Sequence, residues 1–180
     1  MYARADLFAL VQNVSTQAGI EAKNSVTAVA GNDVSISGST LNAGGDIALR
    51  AGRNMTVGTV TEEFHMGDGV HSREDRVTHT GSAVAAGGNL TMTAANDMTV
   101  AGSQAVAGGN AVLAAGKSLS VVSVQDTFSS FVKTKSGNGG LFSSSSKKTV
   151  TQDYRTNKAS TVGAGGNLTL AAGVCHHRQG

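Results

Sequence analysis

The stretch Gly87–Val100, GGNLTMTAANDMTV, decides how this chain folds. It holds two short runs in which apolar residues alternate with threonine, with Leu90 and Met92 in the first and Met98 and Val100 in the second. Successive side chains of a β-strand point to opposite faces, so each run predicts a half-buried strand. Gly, Ala, Asn and Asp separate the runs, and these residues accept turn geometry readily. The stretch therefore predicts two strands joined by a tight corner.

The pattern recurs along the chain, opening at Gly44-Gly45-Asp46, Gly108-Gly109-Asn110 and Gly165-Gly166-Asn167 as well as at Gly87. Gly108 follows Gly87 by 21 residues. A unit this short cannot bury its own apolar face, so the copies must stack into a solenoid. Stacking predicts rows of inward-facing side chains at Val34, Ile36, Ile47, Leu49, Met55, Val57, Leu90, Met92, Met98, Val100, Leu113, Leu119, Val121, Leu168 and Leu170.

The composition suits narrow stacked rows better than a globular core. The 180 residues include 24 Gly, no Pro and no Trp, and only 4% are aromatic. Abundant Gly and Ser is also typical of disorder, but the regular apolar alternation argues against disorder for most of the chain. The net charge of +2 indicates no particular partner, and the only cysteine, Cys175, excludes an internal disulfide. No run reaches membrane-spanning length and no signal peptide is recognisable, so we expect a piece of a longer protein.

A longer period is superimposed on the short one. Residues 32–39, NDVSISGS, match residues 96–103, NDMTVAGS, at an offset of 64. After Phe128 the offset changes to 78, which gives the second copy 14 extra residues. The chain therefore contains a duplicated unit, with copies at about 32–95 and 96–173.

The predicted organisation has three parts. Residues 18–173 form the solenoid repeats. Residues 1–17 are uncertain, although their apolar residues favour a strand. Residues 174–180 resemble nothing before them and are expected to be a disordered tail.

Two segments of the predicted solenoid lack the glycine corner and hold most of the charge. They lie at about 61–80 and 125–158, and each predicts a β-hairpin that projects from the stack. The first has five carboxylates and two arginines, a net charge of −3, and the second has six cations and two aspartates, a net charge of +4. We hypothesise that the two hairpins lie side by side and attract one another. The alternative is that both are simply solvated.

Metal chemistry is weakly indicated. His65, His71 and His79 all lie on the first hairpin and could converge on a metal ion, but exposed polar histidines are the simpler interpretation. The same holds for Cys175, His176 and His177 near the end of the chain. We therefore expect no metal and no cofactor.

Catalysis and nucleotide binding are also weakly indicated. Ala111–Ser118 falls short of a phosphate-binding loop because Ala replaces the first Gly and no helix follows. A polysaccharide-cleaving enzyme needs clustered carboxylates, and the corner aspartates have no second acid at matching coils. We expect no enzyme and no nucleic acid partner.

The glycosylation-like sequons are explained by the repeat, and stacked asparagines predict a hydrogen-bonded ladder. The corner aspartates are Asp33, Asp46 and Asp97, and the sequon asparagines are Asn54, Asn89 and Asn167.

The pattern GGNLTMTAANDMTVAGS, interrupted by charged Ser-, Thr- and Lys-rich segments, resembles the haemagglutinin repeats of filamentous haemagglutinin-like exoproteins. That group includes large adhesins and contact-dependent growth inhibition toxins, and the resemblance covers about residues 18–173. It implies an all-β fold, a right-handed parallel β-helix from which the two hairpins project. It also implies secretion to the surface of a Gram-negative cell through an outer-membrane two-partner secretion transporter.

These observations give two leading hypotheses. The chain is a structural and adhesive shaft segment of a large secreted exoprotein, or a stalk segment of a contact-dependent growth inhibition toxin that serves delivery into neighbouring cells. A glycan-active β-helix enzyme is the third and weakest. A host or neighbouring-cell receptor or glycan would be contacted by the basic second hairpin, through Lys133, Lys135, Lys147, Lys148, Arg155 and Lys158.

Overall fold

A computed structural model describes residues 7–11, 14–16, 19–137 and 145–173 and divides the chain into two compact units. The first, here called the coil unit, contains the described residues of Met1–Val60, Thr80–Val124 and Ala159–Gly180. The second, here called the hairpin sheet, contains those of Thr61–His79 and Gln125–Lys158. All regular secondary structure in these described residues is β-strand. The prediction of an all-β parallel β-helix is confirmed.

Three parallel sheets build the coil unit, because each coil contributes one short strand to each sheet. The first sheet contains β1 (Leu7–Val11), β4 (Val26–Ala30), β7 (Ile47–Ala51), β12 (Leu90–Ala94), β15 (Ala111–Ala115) and β20 (Leu168–Ala172). The second contains β2 (Val14–Thr16), β5 (Val34–Ser37), β8 (Met55–Gly58), β13 (Met98–Ala101) and β16 (Leu119–Val122). The third contains β3 (Ile20–Ala22), β6 (Thr40–Ala43), β11 (Ala83–Ala86), β14 (Gln104–Ala107) and β19 (Thr161–Ala164).

The register between coils follows the repeat. Most stacked corner residues are 21 positions apart, as Asn54 is from Asp33. The separation rises to 43 where the first hairpin intervenes and to 57 where the second does. The second insertion is therefore longer by the 14 residues that the repeat offsets indicate. Inserting a hairpin between two strands lengthens the connection without shifting any row of the stack.

The core consists of narrow apolar rows. Leu90 pairs with Ile47 on one side and Ala111 on the other, and all three are buried. Burying one such side chain contributes about 1.5–3 kcal/mol. The predicted inward positions from Val34 through Val100, together with Leu113, are buried.

Four of the inward candidates are less buried than the rest. Leu119 is half-buried and packs against the core. Val121, Leu168 and Leu170 pair in register with buried residues but are 41%, 43% and 49% exposed. These residues lie on β16 and β20, the last strands of their sheets. No further strand of the described residues covers their outer side.

Two ladders of corner side chains connect successive coils, as predicted for stacked asparagines. In one ladder the backbone N–H of Asn89 donates to Asp46 Oδ1 at 2.6 Å, and the backbone N–H of Asn110 donates to Asn89 Oδ1 at 2.9 Å. The backbone N–H of Asn167 continues this ladder by donating to Asn110 Oδ1 at 2.8 Å. The other ladder follows the second set of corners through Asp33, Asn54, Asp97 and Ser118. The sequon asparagines thus have a structural explanation.

Glycine is needed at the corners because backbones of successive coils approach closely there. A Cβ added to Gly87 would lie 2.3 Å from the Gly44 carbonyl oxygen, and one added to Gly108 would lie 2.3 Å from the Gly87 oxygen. Both distances are far below van der Waals contact. Gly102 has a φ of 54°, a conformation that side chains with a Cβ rarely adopt.

A row of buried serines stabilises another corner, and our sequence analysis missed it. The Ser39 amide nitrogen donates to Ser82 Oγ at 3.2 Å, and the Ser82 amide nitrogen donates to Ser103 Oγ at 3.0 Å. Ser103 in turn donates its amide to Ser160 Oγ at 3.3 Å. The signal was the recurring Gly-Ser pair at residues 38–39, 81–82 and 102–103.

The hairpin sheet has four strands in the order β18, β17, β10, β9, which are Ser145–Lys158, Val124–Gly137, Ser72–Thr80 and Val60–Gly67. β10 pairs with β17 in antiparallel register, with Arg76 opposite Phe128. The expected side-by-side placement of the two hairpins is therefore confirmed. Their joining contact differs from the expected charge attraction, because His79 of the first hairpin binds Asp126 of the second at 2.8 Å.

The uncertain N-terminal segment contributes β1 and β2, in agreement with the preference for strand. The predicted tail at 174–180 lies outside the described residues. Among those that are described, no helix has the length and apolar character needed to cross a membrane.

Candidate functional site

Four of the six predicted contact residues lie around one groove of the hairpin sheet. Lys133 and Lys135 are on β17, and Lys147 and Lys148 are on β18. The groove has a volume of about 430 Å³ and is completed by Val70, His71, Thr134 and Thr149. Arg155 and Lys158 do not line it and lie further along β18, toward its end.

Strand pairing explains why these lysines meet. Thr134 Oγ1 donates to the Lys148 carbonyl oxygen at 3.5 Å, which places the ends of β17 and β18 side by side. The Lys133 amide nitrogen donates to the His71 carbonyl oxygen at 2.7 Å and brings the β9–β10 turn next to them. Residues distant in sequence therefore share one end of the sheet.

Four lysines and no carboxylate line the groove. All four lysines are exposed, and none forms an ion pair with a carboxylate in the described residues. Lys133 Nζ lies 5.2 Å from the Phe131 ring centroid, a cation–π distance. Four cations without an opposite charge favour an anionic ligand, and an exposed site of this kind weakens as salt is added.

The turn beside the groove is organised by Asp68. Its Oδ1 accepts backbone N–H bonds from Val70, His71 and Ser72 at 2.9, 2.6 and 3.0 Å, and its Oδ2 lies 2.7 Å from His71 Nδ1. These hydrogen bonds, with that from Ser72 the largest, hold the pKa of Asp68 well below its usual value. The Asp68 carboxylate therefore stabilises the turn.

The three histidines of the first hairpin do not converge. His65 Nδ1 lies 2.7 Å from Asp75 Oδ1, while His71 pairs with Asp68 and His79 with Asp126. Hydrogen bonding to His65 lowers the pKa of Asp75, and hydrogen bonding to His79 lowers that of Asp126. In the described part of the chain no cluster of three metal-ligating side chains is present.

The segment that resembled a phosphate-binding loop is an ordinary corner between β15 and β16. The amides of Gly116 and Lys117 donate to the carbonyl oxygens of Ala94 and Asn96, at 2.9 and 2.8 Å. Both N–H groups are therefore used in coil stacking. The corner aspartates Asp46 and Asp97 are likewise engaged in the ladders.

A row of side chains across the hairpin sheet was missed by sequence reasoning. The Arg76 guanidinium carbon lies 5.8 Å from the ring centroids of both Phe64 and Phe128. Phe128 stacks on Tyr154 with centroids 4.6 Å apart and an interplanar angle of 18°. Each of the four strands contributes one member. The four residues are far apart in sequence, so only strand register could reveal the row.

Comparison with known proteins identifies the repeat. Two tandem matches to the hemagglutinin repeat family cover residues 11–68 and 64–139, most of the chain. The chain belongs to the hemagglutinin repeat family. The resemblance drawn from the glycine corners and alternating strands is thus confirmed.

Two relatives are similar to this hemagglutinin repeat chain. One is the tRNA nuclease CdiA of Yersinia mollaretii, 29% identical over 168 residues, and another is the tRNA nuclease CdiA-2 of Burkholderia pseudomallei, 31% identical over 189 residues. The alignments cover 78% and 89% of this chain but only 6% of each relative. The hemagglutinin repeat chain therefore corresponds to a small part of much longer proteins. No solved structure matches it.

Proposed function

We propose that this hemagglutinin repeat chain is a shaft segment of a large secreted surface exoprotein of a Gram-negative bacterium. The observation that carries the proposal is the unbroken register of three parallel sheets across the hairpin insertions. A stack of this kind extends by adding coils, each about 4.8 Å along the axis. Such a segment would contribute length and stiffness to the exoprotein rather than a catalytic activity. Export by an outer-membrane two-partner secretion transporter is part of the proposal.

An immunoblot of the source cells, with an antibody raised against residues 18–173, tests the shaft proposal. We expect one band far larger than 18.1 kDa, at the cell surface or in the medium. Disrupting the gene of a neighbouring two-partner transporter should retain that band inside the cell. A band near 18.1 kDa confined to the cell interior would reject the proposal.

Delivery of a toxin into neighbouring cells is a second candidate function. It is favoured because both relatives described above are named as CdiA tRNA nucleases. Here the shaft would hold a toxic domain encoded elsewhere in the same gene. Growth competition between the source strain and a susceptible target decides between the two functions. Inhibition that needs cell contact and disappears on deletion of the gene selects delivery, whereas adhesion without inhibition selects the adhesin.

The basic groove of the hairpin sheet supplies the contact with a cell surface. Lys133, Lys135, Lys147 and Lys148 would bind the sulfate or carboxylate groups of an anionic glycan, and their lack of ion-pair partners in the described residues supports this role. Arg155 and Lys158 stay predicted contacts that would meet a longer glycan along β18. The receptor itself would lie on a host or neighbouring cell.

Binding of a heparin oligosaccharide, measured by calorimetry across a salt series, tests this contact. Changing all four groove lysines to Gln should abolish binding, and the wild-type affinity should fall as salt rises. Lys23 and Lys117 are exposed on the coil unit, away from the groove residues in sequence. Changing both to Gln is the control and should leave binding unchanged. Changing Arg155 and Lys158 to Gln shows whether they take part. Binding that ignores salt, or is absent, would overturn the proposal.

A further inference from the structure

The hairpin sheet has two exposed edge strands of opposite charge. β9 and β18 lie at its two ends, and every residue of 61–67 and 146–157 is exposed. β9 carries Glu62 and Glu63 and no Lys or Arg. β18 carries four cations, Lys147, Lys148, Arg155 and Lys158, and one acid, Asp153. An exposed strand edge is a template for pairing with another strand.

The directions of the strands allow the two edges to pair with each other. The sheet is β18, β17, β10, β9 in order, so the strands of each hairpin are neighbours and β10 is antiparallel to β17. β9 and β18 therefore run in opposite directions. If β18 of a second copy were placed beside β9, the pair would be antiparallel and the sheet would continue across the contact.

The aromatic row fixes the register of such a contact. The row crosses the sheet from Phe64 on β9 to Tyr154 on β18, with Arg76 and Phe128 between them. Phe64 is 46% and Tyr154 58% exposed, so each end of the row is open at a sheet edge. Setting Tyr154 of a second copy opposite Phe64 continues the row, and aromatic cross-strand pairs contribute about 0.2–1 kcal/mol.

The same register matches the neighbouring charges. Residues on either side of Phe64 then face residues on either side of Tyr154, which sets Glu63 opposite Arg155 and His65 opposite Asp153. A shift of two residues in one direction sets Glu63 opposite Asp153, and a shift in the other sets His65 opposite Arg155. Of these three registers, only the aromatic one sets Glu63 opposite a cation and His65 opposite a carboxylate. Arg155 and Asp153 are exposed and have no ion-pair partner in the described residues.

Backbone hydrogen bonding also agrees with this register. The Lys133 amide donates to the His71 carbonyl oxygen, so odd-numbered residues of β17 direct their N–H and C=O groups toward β10. These directions alternate along each strand. Side-chain contacts set Phe64 beside Arg76 and Phe128 beside Tyr154, so the odd-numbered residues of β9 and β18 direct theirs to the free edges. Glu63 and His65 on one edge, and Arg155 and Asp153 on the other, are all odd-numbered. Each would therefore form a hydrogen-bonded pair across the contact.

We propose that the hairpin sheet binds a second copy of itself, with β9 of one copy pairing antiparallel to β18 of the next in the register Phe64–Tyr154. The contact is head-to-tail, because each copy offers one acidic and one basic edge. Such contacts propagate through a series of copies unless they close into a ring. In a surface exoprotein this would join neighbouring copies through their hairpin sheets.

Sedimentation velocity of the full chain over a concentration series tests the contact. The wild type should self-associate. Glu63→Arg alone and Arg155→Glu alone each set like charges opposite one another and should weaken association at least tenfold, which corresponds to about 1.4 kcal/mol. Arg50→Glu is the matched control, since Arg50 is exposed on β7 of the coil unit, and it should associate as the wild type does.

A mixture of the Glu63→Arg and Arg155→Glu variants tests directly whether these two residues face each other across the contact. The changed β9 of the Glu63→Arg variant meets the changed β18 of the Arg155→Glu variant, and the two unchanged edges meet each other, so both contacts join opposite charges. An equimolar mixture should therefore associate as the wild type does. Circular dichroism of each variant confirms that its strands are retained.

Two results would contradict this inference. A wild type that stays monomeric, or association that neither variant weakens, would overturn the proposal. Failure of the mixture to restore association would overturn the stated register. Neither result bears on the size or location of the native product, so the shaft proposal is tested separately.

Discussion

Met92 lies at the centre of the first sheet of the coil unit, between Leu49 and Leu113, with no exposed surface. The buried residues around it are apolar and offer no side-chain partner to a charge. We expect Met92→Asp to lower the free energy of unfolding by more than about 4 kcal/mol. Met92→Leu keeps the volume and should cost less than about 1.5 kcal/mol. Urea denaturation measures both, and equal losses would mean that the row is not packed.

Ser103 shows that buried polar residues also matter in this stack. Its hydroxyl accepts the Ser82 amide at 3.0 Å and lies 2.8 Å from the Ala101 carbonyl oxygen, and the residue is 2% exposed. Ser103→Ala leaves the buried Ser82 N–H without its partner. We expect a loss of about 1–3 kcal/mol in the free energy of unfolding, measured by urea denaturation. The exposed Ser123→Ala is the matched control and should change it by less than about 0.5 kcal/mol.

At the scale of elements, the hairpins depend on aspartates with lowered pKa values. Hydrogen bonds from Ser72, His65 and His79 are the main causes for Asp68, Asp75 and Asp126 respectively. A carboxyl whose pKa is lowered on folding stabilises the fold above its unfolded pKa of about 3.9, and this contribution is lost as the pH falls through the lowered value. The hairpin sheet should therefore loosen in acid below about pH 4.

An NMR titration from neutral to acidic pH measures this loosening residue by residue. Amide signals of residues 61–79 and 125–135 should shift before those of the coil unit, where asparagine and serine oxygens that do not titrate share the ladders and the serine row with the aspartates. Asp126→Asn should remove the part of the transition that belongs to β10 and β17. Simultaneous loss of both units would contradict the expectation.

At the scale of the molecule, the two hairpins depend on one another. β9 and β10 alone would be a two-stranded hairpin, which is marginally stable in water. Pairing of β10 with β17 completes a four-stranded sheet. Replacing Gln125–Lys158 by a short Gly-Ser linker should therefore make residues 61–79 sensitive to protease.

Limited proteolysis followed by mass spectrometry locates the cleavage. The control replaces only residues 138–144, which lie between β17 and β18 in the chain, by Gly-Gly and should leave residues 61–79 protected. Equal protection of the first hairpin after removal of the second would show that pairing contributes nothing to its stability.

Sequence alone determined the coil of this protein. Alternating apolar residues set the strands, recurring glycine corners set the 21-residue step, and corner asparagines set the ladder, because each of these is a local pattern repeated at a fixed interval. The family resemblance rested on the same residues. The sequence did not predict that Leu168 and Leu170 are exposed, because burial depends on whether a neighbouring strand covers the row.

Only the tertiary structure decided how the hairpins meet. No local pattern relates Phe64 to Tyr154, or His71 to Lys133, because the pairing of β10 with β17 brings together residues 50 to 60 positions apart in the chain. The opposite net charges of the two hairpins predicted that they lie side by side. They did not predict the His79–Asp126 contact that joins them. Register within a sheet is set by the pairing of whole strands, and so the groove and the edges arise only when the strands are assembled.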